Sequence, residues 1–293
     1  MSIVLLGAGQ LARAMSLVSH KAGCPFISLP RACYPQFSDD LLQASLLSYR
    51  PNVILNAAAY TDVAGAEKEP EHAMAVNGDG VARLAELAKQ HNALLVHFST
   101  DYVFGGSGHR PWREYDRPAP LNVYGQSKLA GEQAILASGC CYLIIRTSWL
   151  HSPWRDNFLK TMLHLAQSRD ELQVVCDQVG APTSAIMLAE VTLLAIERVL
   201  AEPELAGLYH VASSGAVGWY DYARFIFKEA SAIGLLDKVP QLKPIISDGY
   251  AIEVKRPLNS RLDTQLFQQT FGLVLPDWQQ GVRLTLQALL EEQ

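Results

Sequence analysis

The seven residues NVYGQSK, positions 122–128, set a tyrosine and a lysine four apart. On a helix, residues at that separation share a face. A phenol serves as an acid or base near neutral pH only if its surroundings draw its pKa down from about 10. A cation one turn away does this by favouring the phenolate. Tyr124 and Lys128 therefore have the makings of a proton-donating pair, and Thr100, in the stretch STDYVFGG, offers a hydroxyl to complete it. In such a set Thr100 holds a ketone oxygen and Tyr124 delivers a proton to it. Lys128 lowers the tyrosine pKa and reaches a nicotinamide ribose. General acid help of this kind is worth about 10²–10⁴-fold, and a nicotinamide carries the hydride. The same spacing occurs on any helix surface, so the elements that carry these residues must decide between the two readings.

Those elements alternate. Apolar runs at 2–6, 25–29, 52–56, 93–98 and 142–146 read as buried strands, separated by helical stretches at 7–23 and 39–49, one ending VARLAELAKQ, and LAGEQAILA. Strands alternating with helices predict an α/β fold, a Rossmann-type doubly wound parallel sheet covered on both faces. Past Trp149 the alternation weakens into amphipathic helices at 158–169 and 187–200. A final third with proline-rich connections follows, expected to form a smaller C-terminal substrate-binding domain. The expected division gives residues 1–149 and about 186–215 to a dinucleotide-binding domain, and about 150–185 and 216–293 to the second.

In such sheets ligands bind beyond the carboxyl ends of the strands. GAGQLA, positions 7–12, has the form G-x-G-x-x-A between the first strand and the first helix. There the glycines let backbone approach a pyrophosphate, and the helix N-terminus supplies N–H groups and partial positive charge. The second strand ends Leu29-Pro30-Arg31, with no carboxylate for a ribose 2′-hydroxyl and an arginine available for a 2′-phosphate. NADPH is therefore the expected cofactor, with NADH possible. Three further strand ends carry NAAAYTDV, STDYVFGG and RTSW, polar stretches that a core does not require.

Taken in order, NAAAYTDV with AGAE, LVHFSTDYVFGG, PLNVYGQSKLAGE, IIRTSW, NFLKTML, DQVGAPT, LAGLYHVASSG, WYDYA, KRPLNSRLDT and FGLVLPDWQQGV resemble the extended short-chain dehydrogenase/reductase family along the whole chain. The likeness is closest to its reductases of dTDP-6-deoxy-4-keto sugars. It implies NAD(P)H-dependent reduction of a C4 ketone with Thr100, Tyr124 and Lys128 as the catalytic residues. By the family pattern Gly7, Gly9, Gln10 and Leu11 lie against the pyrophosphate. Gln36 and Phe37 border the adenosine, and Ala59, Tyr60, Thr61 and Phe98 the rest of the cofactor, with Tyr124 and Lys128. Thr100, Asp101, Tyr102 and Trp149 meet the sugar. A dTDP-sugar substrate is anionic, whereas the chain carries a net charge of −5, so a local basic cluster is required. Lys255, Arg256 and Arg261 are its candidates.

The glycine loop is one residue shorter than the usual family form and ends in Ala12 rather than glycine. Some relatives join two subunits through magnesium held by three glutamates. The matching positions here are Ala14, Ile186 and Ala288, which offer no oxygen donors. The expectation is no metal site, and a monomer or weak dimer not bridged by metal. Another dTDP-deoxysugar reductase, a non-catalytic regulatory relative, and an epimerase or dehydratase remain open alternatives at this stage. The dehydratase reading is weakened by Tyr102, which stands where a second carboxylate belongs. The acidic net charge gives no footprint for nucleic acid. The longest apolar stretch, IMLAEVTLLAIERVL, is broken by Glu190 and Glu197 and predicts no membrane span. Five cysteines without a CxxC pair predict reduced thiols and a cytoplasmic setting.

Overall fold

A computed structural model describes residues 2–29, 39–247 and 254–292. The expected adenosine and 2′-phosphate residues Arg31, Gln36 and Phe37 lie outside the described residues. The chain begins β1 (Ile3–Leu6), α1 (Gln10–Lys21), β2 (Ile27–Leu29), α2 (Asp39–Tyr49) and β3 (Val53–Asn56). Then come α3 (Val63–Lys68), α4 (Pro70–Met74), a π-helical turn at Ala75–Asp79, α5 (Gly80–Gln90) and β4 (Leu94–Thr100). A 3₁₀ turn, Asp101–Val103, leads on to α6 (Val123–Ser138), β5 (Tyr142–Thr147), β6 (Leu150–His151), α7 (Phe158–Ser168) and β7 (Glu171–Val175). The rest comprises β8 (Val179–Gly180), β9 (Thr183–Ser184), α8 (Ala185–Ala201), β10 (Gly207–His210), β11 (Val217–Gly218), α9 (Trp219–Ala232), β12 (Gln241–Ile245), α10 (Gln265–Phe271) and α11 (Trp278–Glu291).

Six strands form one parallel sheet in the order β10-β5-β4-β3-β1-β2. Its strands read as unbroken apolar runs because both faces are covered. Successive residues point to opposite faces. Ile3, Leu5, Val53, Leu55, Val96 and Ile145 therefore pack with α1, α8 and α10. Val4, Leu6, Ile54, Leu95 and Ile144 pack with α2, α5 and α6 on the other side. A third cluster joins α7, β7, α9 and α11 through Leu159, Leu172, Tyr222, Phe227, Trp278 and Val282. Strand order reverses between β1 and β3, the switch point at which doubly wound sheets bind ligands.

The sequence pattern differs from the structure in three places. The helix expected at LAGEQAILA starts six residues earlier, at Val123, so that Tyr124 and Lys128 both lie on it. Gly125, a poor helix former, hides this start from sequence pattern. It is tolerated because a Cβ there would sit 2.3 Å from the Tyr102 carbonyl oxygen. The long helical region before the 93–98 strand is interrupted by Glu69-Pro70 and by the π turn at 75–79. The pairs β6–β9 and β8–β11 have two residues per strand, too few for a period-2 pattern, while β7, which alternates in burial, pairs with the proline-containing β12 far along the chain.

Candidate active site

Gly7 ends β1 at φ +129, and a Cβ there would lie 2.7 Å from the Ala57 carbonyl carbon. Only glycine lets the β1 and β3 ends approach this closely. Gly9 caps α1 with no side chain, and no atom lies within 4 Å of where its Cβ would be. The first turn of α1 therefore opens onto space with its N–H groups outward, which fits a dinucleotide pyrophosphate. Gln10 does not face that space alone. Its Nε2 donates to the Leu150 carbonyl at 3.3 Å, and its Oε1 accepts from Ser152 Oγ at 2.9 Å. Arg155, from the same 150–157 segment, donates to the Ala8 carbonyl at 3.0 Å. Gln10 is thus a tie between the glycine loop and the strap after β6. Leu11 is buried in the α1 face of the core.

Beyond β3, the 58–61 loop is held by a residue the sequence reading missed. Asn77, buried in the π turn, accepts from the Tyr60 N–H and donates to the Tyr60 carbonyl, both at 2.9 Å, and to Ser127 Oγ at 3.0 Å. Ser127 Oγ in turn donates to the Tyr124 carbonyl at 2.8 Å. The expected cofactor residues Ala59, Tyr60 and Thr61 are thereby linked to the helix that carries the Tyr–Lys pair. Single-turn π bulges of this kind recur at functional sites. A Cβ on Gly131 would meet the Asn77 carbonyl oxygen at 2.2 Å, so α6 rests directly on this turn. The Tyr60 hydroxyl itself points to Glu69, donating at 3.0 Å.

The β4 end places the reaction chemistry. Thr100 Oγ1 donates to Asp101 Oδ1 at 3.1 Å and accepts from the Tyr102 N–H at 3.2 Å. α6 opens with Asn122, whose Oδ1 accepts from the Gly125 N–H at 2.8 Å and whose Nδ2 donates to the Lys255 carbonyl at 2.9 Å. This cap sets Tyr124 over Thr100, edge-on to Tyr102 with ring centroids 5.6 Å apart. Lys128, buried, donates from Nζ to the Phe98 carbonyl at 2.7 Å. Its Nζ also lies 3.3 Å from His97 Nε2. The structure therefore brings Thr100, Asp101, Tyr102, Tyr124, Lys128 and the Phe98 backbone to one strand end.

The Tyr–Lys spacing predicts that Lys128 draws the Tyr124 pKa down, and the structure corrects this. In the structure burial pushes the phenol up, the Thr100 hydroxyl opposes this, and Asp101 and Tyr102 add to it, so the net shift is upward. The Lys128 ammonium is committed to the Phe98 carbonyl instead. Burial also pushes Lys128 down to about 8, against Glu132, which favours the charged form. Burial raises Asp101 to about 6, opposed by hydrogen bonds from Ser260 and Thr100, and Asp101 Oδ2 is buried without a hydrogen-bond partner. Tyr102 is pushed up to about 12 by burial, opposed by the charge of Arg256 and reinforced by Asp101. A tyrosine held above its ordinary pKa stays protonated at neutral pH, the form a proton donor needs.

Arg256 is exposed and lies within Coulombic reach of the site through Tyr102, and its neighbour Lys255 is exposed beside it. Arg261 is placed differently: its Nε donates to Asn259 Oδ1 at 2.9 Å and its Nη2 to the His109 carbonyl. Those bonds tie the 254–262 segment to the 105–112 loop. Trp149 stands at φ +47, stacked on Trp219 at 3.4 Å between centroids and 11° between planes. Gly180 leaves room beneath it, since a Cβ there would lie 2.5 Å from the indole. A bulky residue at positive φ is strained backbone that clusters at binding sites. Besides Asn77, sequence reasoning missed Asn56, His97, Ser127 and Ser260. They are ordinary polar residues until tertiary contacts give them partners.

The whole of this geometry sits in a chain that matches the model of the RmlD substrate binding domain family over residues 1–291. A dTDP-4-dehydrorhamnose reductase of Escherichia coli (strain K12) is 49% identical over 242 residues, covering 83% of this chain and 81% of that protein. The crystal structure of a dTDP-4-dehydrorhamnose reductase from Clostridium acetobutylicum superposes with a TM-score of 0.91 at 32% identity, covering 99% of this chain and all of that one. The Bacillus anthracis dTDP-4-dehydrorhamnose reductase, solved in complex with NADP, gives a TM-score of 0.90 at 31% identity with both chains fully covered. A family match over nearly the whole chain, with identity at this level and superposition along the full length, shows that the chain belongs to the dTDP-4-dehydrorhamnose reductase family.

Proposed function

We propose that this protein reduces the C4 ketone of dTDP-4-dehydro-6-deoxy-L-mannose with NADPH to form dTDP-L-rhamnose, with NADH as a weaker substitute. The observation that carries this is the convergence of Thr100, Tyr124 and Lys128 at the β4 end, beside a glycine loop open for a dinucleotide. When bound, NADPH supplies the hydride. The Tyr124 hydroxyl gives its proton to the ketone oxygen, and the Thr100 hydroxyl, whose single hydrogen turns from Asp101 Oδ1 when substrate binds, donates to the same oxygen. Lys128 holds the ribose hydroxyls and restores the tyrosine proton. Asp101 and Tyr102 border the sugar, and Trp149 closes its far side.

Gly7, Gly9, Gln10, Leu11, Ala59, Tyr60, Thr61 and Phe98 form the cofactor side in this reading, and Arg31, Gln36 and Phe37 complete it at the adenosine. The charge of Arg256 beside Tyr102 supports a diphosphate contact there, and Arg261, bonded to Asn259 and His109, is the second candidate on the same segment. In this reading 150–185 and 216–293 hold the sugar nucleotide, in the cytosol, with no metal between subunits. No helix among the described residues is long and apolar enough to cross a membrane. The test is NADPH oxidation on the purified 4-keto sugar, with the product identified by NMR. A product other than dTDP-L-rhamnose refutes the substrate assignment. Arg256→Ala should raise KM for the sugar nucleotide and leave KM for NADPH unchanged; the reverse pattern removes it from the diphosphate.

A further inference from the structure

Behind Lys128 lies a buried polar chain that the reaction scheme does not use. It starts at a group whose role cannot change: the Ala58 N–H, which donates to Asn56 Oδ1 at 3.1 Å. The Asn56 amide therefore presents its Nδ2 to His97, 3.1 Å from Nδ1. Asn56 is 1% exposed and His97 fully buried, and burial holds the imidazole neutral, its pKa far below the ordinary range. A neutral imidazole has one N–H and one lone pair. With Nδ1 accepting from Asn56, the proton sits on Nε2, which faces Lys128 Nζ at 3.3 Å.

An ammonium at Lys128 then meets an N–H rather than a lone pair. Only the neutral amine can accept from His97 while still donating to the Phe98 carbonyl at 2.7 Å. Turning the Asn56 amide over does not remove the conflict, because it sets Nδ2 against the Ala58 N–H. The chain therefore holds one proton too many whenever Lys128 is charged. Other groups around Lys128 do not cancel this. On α6, Glu132 favours the ammonium, but Arg146 from β5 takes both its oxygens, at 2.9 and 2.6 Å. Tyr124 lies one turn before Lys128, and Asp101 at the β4 end acts on that tyrosine.

We propose that His97, fixed in its Nε2–H form by Asn56, is a positioning residue that readies Lys128 to release a proton to the Tyr124 phenolate. This rests on the reductase reading of Tyr124 and Lys128. The proton balance is closed. The Tyr124 O–H bond breaks as its proton joins the ketone oxygen, and a Lys128 N–H bond breaks to restore the phenol. The resulting amine accepts a hydrogen bond from His97 until solvent reprotonates it. Nothing is oxidised or reduced beyond the hydride transfer itself.

Two NMR measurements on the whole protein test this without turnover. A long-range ¹H–¹⁵N spectrum of the wild type should show His97 as the Nε2–H tautomer throughout the stable pH range. An Nδ1–H tautomer or an imidazolium overturns the proposal. Titration of the Lys128 side-chain nitrogen, identified by its loss in Lys128→Met, gives the second readout. His97→Gln supplies an oxygen that accepts from the ammonium, and Asn56→Asp reverses the histidine tautomer. Each should raise the proton affinity of Lys128 about tenfold, one pH unit of midpoint. An unmoved midpoint in either folded variant overturns the proposal. Because substrate is absent from both spectra, failure of the 4-keto sugar assay would refute the reductase reading separately.

Discussion

Glu132 on α6 and Arg146 on β5 form an ion pair at 2.6 Å, with side chains only 1% and 3% exposed. Arg146 is a hub. Its Nη1 reaches the Glu114 carbonyl at 3.4 Å and His210 Nε2 at 3.4 Å, and its guanidinium lies 5.0 Å from the Phe104 ring centroid. Replacing Glu132 with Gln keeps the shape and leaves a buried cation with a neutral partner. Removing one member of a buried pair costs about 3–5 kcal/mol. Unfolding entropy near 2.1 cal/mol/K per residue amounts to about 0.6 kcal/mol/K for a chain of this length, so the melting temperature should fall by about 5–8 °C. Glu132 also supports the charged form of Lys128, so its loss should move the Lys128 titration to lower pH. The assay is calorimetry together with the pH profile of kcat/KM. Glu132→Gln with Arg146→Met should recover most of the lost stability, because a well-packed apolar pair is often no worse than the ions it replaces. A single-variant loss below about 1 kcal/mol, the range of an exposed pair, would refute the reasoning from burial.

Tyr124→Phe should lower kcat by about 10²–10⁴-fold, the range of general acid catalysis, with the Kd for NADPH little changed; near-normal turnover removes Tyr124 as the proton donor. Gly131→Ala forces a Cβ to 2.2 Å from the Asn77 carbonyl, which must push α6 off the π turn. It should raise KM for NADPH and lower kcat together, and unaltered kinetics would show that α6 need not rest there. His151 and His210 are each held down to about 3, chiefly by burial. The unfolded chain binds protons at both below pH about 6.5 while the folded chain does not. The contribution of these two rings should therefore be full above that pH and be lost toward pH 3, partly offset by Asp101, whose raised pKa acts in the opposite sense, so replacing both histidines with Gln should flatten the fall in melting temperature; an unchanged slope contradicts the burial of both rings. Comparison of kcat/KM for the two cofactors should favour NADPH, with activity unaffected by a chelator; NADH preference or loss of activity on chelation counts against the cofactor and metal readings respectively.

Much of the architecture was legible in residue order. Apolar runs separated by amphipathic stretches become a parallel sheet because strands covered on both faces need no alternation. GAGQLA could be placed at a strand–helix junction, and the Tyr–Lys spacing could be seen as one helical face, since both signals are local. Other features depended on contacts between distant segments. The start of α6 at Val123 rests on the Asn122 cap and on Gly125 fitting beneath the Tyr102 carbonyl. Asn77 and His97 carry no motif of their own; they matter because the 58–61 loop, α6 and the strand ends meet around them. The bonds that turn Arg261 toward Asn259 and His109, and the burial that raises rather than lowers the Tyr124 pKa, likewise arise only on packing. Sequence determines which groups are present and their local periodicity, whereas their charge state depends on desolvation and on partners brought from elsewhere in the chain.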